Sequence, residues 1–256
     1  IALRWAYLAA VDDGSPKRAD VLVMLHASIY NLFTPAAVGA DVFRIFRGAD
    51  RRGGRSRSAG LVFFDRVLGI WGQATVYLMG YVLALGLGVP DVLKAPLPVF
   101  LGLVIGSAVL SAVAKRIGTT LLSGRHGRAA DIFRNILNAA TEHGWRRKLL
   151  LALLSFSAVT TWVLAAYALA SQLGPQLGLG VIAMIAVVTE LARLLPISLQ
   201  GIGVREVTFA WLSSEAGGSA EVGFVTCGVL YALNYLVVAG LGFAAGVALE
   251  SWEQQE

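Results

Sequence analysis

The chain has 256 residues, of which 57% are hydrophobic and only 14% charged, with a formal net charge of +5. A soluble domain of this size cannot cover its surface with so few charges, and several apolar runs reach the roughly 20 residues that a bilayer-spanning helix needs. An integral membrane protein is expected, and the basic balance then belongs to loops at a membrane surface, not to nucleic-acid binding.

The first residue is Ile1, and "IALRWAYLAA" reads like the end of a segment already under way, so a chain truncated within its first span is expected. A secretory signal peptide is absent from the pattern. Apolar segments then follow near 20–43, 59–88, 97–115, 148–172, 177–200, 204–214 and 223–249. They lack period-two alternation and exceed the length of a barrel strand, which predicts an all-α polytopic helix bundle.

The loops between them differ sharply in charge. "RIFRGADRRGGRSRS" (44–58) carries six arginines against Asp50, and 115–148 is also basic. Residues 88–96 and 173–180 hold almost no charge. Basic loops stay in the cytoplasm, so loops at about 44–58 and 116–147 are expected inside and the other two outside. Within the second basic loop, 128–145 places Ile132, Phe133, Ile136, Leu137 and Ala140 on one face, as an interfacial or solvated amphipathic helix does.

The first segment has basic residues on both flanks, Lys17 and Arg18 before it and the arginine loop after it. A single span cannot begin and end on one side. Pro35 removes a helix donor and Gly39 tolerates a sharp turn, so a re-entrant hairpin fits; a proline-kinked ordinary span is the alternative. Near the other end, "PISLQGIGVRE" (196–206) repeats the plan, with Pro196, Gly201 and Gly203 before resumed apolar sequence. Paired interruptions in corresponding places mark internally repeated transporters, so two interrupted or re-entrant helices in an inverted repeat are expected, against coincidence of two kinked helices. Each break frees backbone N–H groups at a helix start, where the dipole adds positive charge. That predicts an anion site at membrane depth, with Ser198 and Gln200 as further donors.

Charges cluster at the same places. Asp41 and Arg44, and Glu190 and Arg193, lie three apart and share a helix face. Asp65 and Arg66 are adjacent and point different ways, as do Arg205 and Glu206. Each such group costs roughly 2.5–3.5 kcal/mol near the bilayer centre unless it pairs or meets water. The candidate substrate-binding set is therefore Asp41, Arg44, Asp65, Arg66, Glu190, Arg193, Ser198, Gln200, Arg205 and Glu206. Buried structural ion pairs, or snorkelling for Arg44, Asp65 and Arg66, are the competing readings. Cys227, the one cysteine, reads as a packing residue. His26, His126 and His143 show no metal-ligand spacing, and no nucleophile or phosphate-loop motif is present, so neither catalysis nor a metal or cofactor is expected.

"NLFTPAAVGADVFR", "FFDRVLGI" and "ELARLLPISLQGIGVREVTF", in that order, resemble the membrane-embedded flippase-like domain of bacterial lysylphosphatidylglycerol synthases. Where the family commonly carries a Pro-Gly-Gly-x-Gly-Gly-Asp core, this chain has Ala36, Ala37 and Ala40, while Pro35, Gly39, Asp41 and Arg44 match. The resemblance covers almost the whole chain, 1–256 as one domain, and implies a preceding span. It also implies an inner-membrane protein that moves an anionic phospholipid or polyisoprenyl-linked lipid between leaflets. A scaffold that presents such a lipid to a partner glycosyltransferase or aminoacyl transferase is the alternative. No region here matches the family's cytoplasmic synthase domain, so that activity is not carried over.

Overall fold

The computed structural model describes residues 1–10, 15–34, 38–49, 54–106, 109, 144–174, 177–193 and 198–253. Pro35, Pro196, Arg51, Arg52, His126, His143 and the amphipathic segment 128–143 lie outside the described residues, as does most of the second basic loop.

Regular structure among the described residues is helical. In chain order it comprises α1 (Ala2–Ala9), α2 (Arg18–Leu32), α3 (Gly39–Ala49) and α4 (Arg55–Ala84). A 3₁₀ turn at Leu85–Leu87 and the single turn α5 (Asp91–Lys94) lead to helical residues 97–106, α6. The chain resumes with α7 (Trp145–Leu173), α8 (Leu179–Ala192), α9 (Val204–Glu215) and α10 (Ala220–Glu253).

Helices α4, α7 and α10 are long and apolar enough to cross a membrane. Their outward side chains, among them Leu83, Leu153, Leu164, Leu236 and Phe243, stand exposed. Such a surface suits lipid tails, which replace water around the bundle. The molecule is an α-helical membrane bundle.

The segments predicted at 20–43 and 177–200 do not form single spans. The first divides into α2, of 15 residues, and α3, of 11. The second ends at Ala192 after the 14 residues of α8, and 12-residue α9 starts only at Val204. All four are shorter than the roughly 20 residues of a crossing helix, and within each pair the two helices pack on one another. The order short, short, long thus occurs twice, as α2–α3–α4 and α8–α9–α10. Packing is exchanged between the copies: α4 lies along α8, and α10 lies along α2. This reciprocal contact is what an internal two-fold relation produces.

Glycine lets both exchanged contacts close. A Cβ on Gly180 would lie 2.5 Å from the Gly80 carbonyl oxygen, so the α4 and α8 backbones touch. A Cβ on Gly242 would meet Ile29 of α2 at 2.5 Å. Small residues at crossings are how membrane helices gain van der Waals contact without a hydrophobic driving force.

α8 is apolar all round, and Gly180 through Val187 are buried. A helix of that kind belongs at the centre, and α4, α7 and α9 surround it. The main core joins Tyr77, Phe100, Met184, Ile185, Phe209 and Tyr231. A second core forms around Trp5, Leu8, Met24, Leu61 and Leu151. Cys227 is packed in the main core, as its apolar surroundings predicted.

Candidate functional site

Both helix breaks are local consequences of glycine and side-chain capping. At the first, a Cβ on Gly39 would fall 2.4 Å from the Tyr30 carbonyl oxygen, so only glycine lets α3 start against the end of α2. The Gly39 N–H donates to Thr34 Oγ1 at 2.9 Å, and the Ala40 N–H donates to Asn31 Oδ1 at 2.8 Å. At the second, Gln200, Gly201 and Gly203 have φ of 54°, 82° and 84°. That run of left-handed backbone turns the chain sharply into α9. Glu206, at the third position of α9, accepts from the Gly203 N–H at 2.7 Å, one arm of a capping box.

These bonds change the expected anion site. The Gly39 and Ala40 N–H groups of the first break are taken by Thr34 and Asn31, and the Gly203 N–H of the second by Glu206. Capping groups win because an unpaired N–H at membrane depth is costly. Further polar capacity beside the breaks resides in side chains.

Those side chains form two separate groups, each beside one break. In the first, Asp65 on α4 is 3% exposed and accepts from Arg4 Nε at 2.8 Å and from Arg44 Nη1 at 2.9 Å. Arg44 also donates to Asp41, which accepts from Arg66 as well. Arg4 reaches Ser155 Oγ on α7 at 3.1 Å. The Arg44 guanidinium lies 4.4 Å from the Trp5 ring centroid. Three guanidiniums and two carboxylates thus alternate in one network tying α1, α3, α4 and α7. Asp41 and Arg44 do pair, and adjacent Asp65 and Arg66 find different partners, as their directions on the helix require. Arg44 and Asp65 are buried, which removes snorkelling for those two; Arg66, with 36% of its side chain exposed, faces the edge.

In the second group, Arg193 Nε lies 3.0 Å from Glu190 Oε2, close enough for an ion pair but out of line for a hydrogen bond. Tyr231 of α10 donates its hydroxyl to the other Glu190 oxygen. The face of the same ring carries Arg205, whose Cζ lies 3.9 Å from the centroid. Arg205 is 1% exposed. Its Nη2 donates to the Gln200 carbonyl oxygen and, at 2.8 Å, to Gln200 Oε1. No carboxylate lies within ion-pair distance of it among the described residues, and its Nε has no hydrogen-bond partner. Ser198 Oγ and the Tyr235 hydroxyl are likewise buried without partners among the described residues.

The two groups are chemically unlike. Asp41, in one candidate set with Glu190, Arg193, Arg205 and Glu206 by sequence, belongs to the first network, because α3 packs on α2 and α4. In the first group every carboxylate holds two arginines. In the second, the buried arginine is held by neutral oxygens and an aromatic face, while both acids have other partners. Arg4 and Tyr231 are not among the candidate site residues drawn from the sequence. Arg4 looked like a flanking loop charge, and Tyr231 sits in an apolar run with nothing to mark it except its four-residue spacing from Tyr235. His26 Nδ1 lies 3.1 Å from the Gly242 carbonyl oxygen at the α2–α10 crossing.

Comparison with known proteins shows the family. The family model described as the lysylphosphatidylglycerol synthase TM region matches residues 1–242. No curated protein and no solved structure matches the chain. The match spans both helix breaks, both charged groups, α4, α7 and the first part of α10, and connects this membrane protein with lipid modification or translocation. The chain belongs to the lysylphosphatidylglycerol synthase TM region family.

Proposed function

We propose that the protein moves an anionic phospholipid or lipid-linked molecule between the leaflets of a bacterial inner membrane, with the second charged group as the station for its headgroup. Arg205 carries this reading. It is a buried cation at membrane depth, and no carboxylate lies within ion-pair distance of it among the described residues. An arginine so placed is expensive, and an oxyanion is the group that best matches its fork of donors. Arg193 stands next to it, with 30% of its side chain exposed, and offers a first contact at the edge. Glu190 competes for Arg193, so a phosphate is passed on instead of being held. Acyl chains stay in lipid against the exposed apolar faces of the long helices. The first network, with its charges satisfied internally, fixes α1, α3, α4 and α7 while the second half works.

The test is reconstitution into liposomes containing headgroup-labelled phosphatidylglycerol, with a membrane-impermeant quencher outside. Wild-type protein should make label in the inner leaflet accessible. Arg205→Ala should fall to the protein-free rate while keeping a wild-type elution profile. Wild-type-like scrambling by Arg205→Ala would overturn the assignment.

A second reading, a scaffold that holds a lipid-linked substrate for a partner transferase, draws on the closed state of both breaks. It predicts co-purification with such an enzyme and no scrambling by the protein alone.

A further inference from the structure

We infer that the turn 198–203 is a displaceable lid on Arg205, and that Gln200 holds the guanidinium with its own two oxygens until an oxyanion replaces them. This rests on Arg205 being the headgroup station, and adds how access to it is controlled.

Gln200 acts as a built-in substitute for a ligand. Its backbone carbonyl and its side-chain Oε1 both accept from Arg205 Nη2, an arrangement two oxygens of a phosphate group can reproduce. To deliver both, Gln200 adopts φ of 54°, and it is the one non-glycine residue with positive φ among the described residues. A side chain in that region is strained, and the strain persists only while the surroundings hold it. What holds it is the pair of bonds to Arg205.

The rest of the turn fits a cover. Gly201 lies between two arginines: a Cβ there would sit 2.6 Å from Arg193 Cβ and 2.7 Å from Arg205 Nε. The turn therefore shields the Nε that has no partner. On its outer side Leu199 and Ile202 are 53% and 55% exposed, while Gln200 and Gly201 face inward and are buried. Lifting it breaks the two bonds to Gln200 and the bond from the Arg205 N–H to the Gly201 oxygen, and draws Gly201 off Arg193. Gly201 and Gly203 supply pivots, since glycine passes between positive and negative φ without penalty. The Glu206 bond to the Gly203 N–H keeps the pivot attached to α9.

The chemistry sets the direction of exchange. Gln200 offers neutral oxygens, whereas a phosphate diester offers charged ones, so the exchange adds the attraction of opposite charges to bonds in which only the arginine was charged before. An oxyanion that reaches Arg193 at the edge can displace the turn from Arg205. The first break has no counterpart, because Arg44 is held there by carboxylates, which an arriving phosphate does not outbid by charge.

The experiment uses the full chain in lipid nanodiscs and follows amide hydrogen exchange across the turn. The reporters are the Ile202 and Arg205 N–H groups, which donate to Leu199 and Gly201 oxygens at 3.0 Å. Three conditions are compared: phosphatidylcholine, phosphatidylcholine with inorganic phosphate, and phosphatidylglycerol. Exchange should be faster in phosphatidylglycerol than in phosphatidylcholine alone. Acceleration by inorganic phosphate as well identifies any oxyanion as the trigger, and its absence identifies the lipid headgroup. Equal exchange in all three conditions overturns the lid. Two variants read the same device through scrambling. Gln200→Ala removes one oxygen and should scramble about tenfold faster, the scale of one hydrogen bond to a charged group. Gln200→Glu places a carboxylate on Arg205 and should scramble more slowly than wild type. If wild type scrambles while its turn ignores anionic lipid and both variants match it, the lid is wrong and the translocase reading survives. If the turn opens to anionic lipid but nothing scrambles, the lid stands and translocation falls.

Discussion

Substituting Asp65 by asparagine tests whether the first network holds the fold together. The carboxylate is 3% exposed and joins Arg4 of α1 to Arg44 of α3 through bonds of 2.8 and 2.9 Å. Asparagine keeps the shape and one acceptor oxygen but removes the charge, leaving Arg4 without a carboxylate and Arg44 and Arg66 to share Asp41. Breaking a buried pair from one side costs about 3–5 kcal/mol, since the remaining charge stays buried. For a chain of this size each kcal/mol corresponds to roughly 2–4 °C in midpoint, so a fall of roughly 6–20 °C is expected. Thermal unfolding in nanodiscs, followed by tryptophan fluorescence, reads this directly because Trp5 lies against Arg44. Arg66→Gln is the control. That side chain is 36% exposed, and a pair at the edge is worth about 1 kcal/mol or less. A midpoint for Asp65→Asn equal to that of Arg66→Gln would refute the claim that burial makes this network structural.

Three further substitutions have defined outcomes. Gly201→Ala puts a Cβ into Arg193 and Arg205 at a φ of 82°, so it should lower stability by about 1–3 kcal/mol, as overpacking does, in the same thermal assay. Gly180→Val forces α8 off the Gly80 carbonyl and should cost at least as much, with the loss reduced when only alanine is introduced. Tyr231→Phe leaves the ring under Arg205 but removes the hydroxyl from Glu190; a loss of about 1–3 kcal/mol is expected for the acceptor left without its donor, measured by chemical unfolding in detergent.

The parts of this molecule that obey a period or a steric rule were readable in the residues. Apolar runs marked the long helices, because length and hydropathy alone decide whether a helix can cross lipid. Gly39, Gly201 and Gly203 marked the breaks, and the structure gives each a reason: a close approach at Gly39, and left-handed backbone at the other two. The i,i+3 spacing identified Asp41–Arg44 and Glu190–Arg193 as pairs. Partners distant in sequence were not readable. Arg4 meets Asp65 across 61 residues, and Tyr231 meets Glu190 across 41. Such contacts depend on how helices pack. The division of the charges into two groups has the same origin, since only the exchanged packing of α4 on α8 and α10 on α2 separates Asp41 from Arg205. Reciprocal packing also gives the short, short, long order a meaning that the weak letter match between the breaks did not carry.

The central claim is that Arg205 selects its ligand by charge. The direct measurement is the ratio of scrambling rates for phosphatidylglycerol and phosphatidylcholine, taken on wild type and on Arg205→Gln in liposomes of one composition. A ratio well above one in wild type that collapses to one in Arg205→Gln is the predicted result. An unchanged ratio in the variant would contradict it.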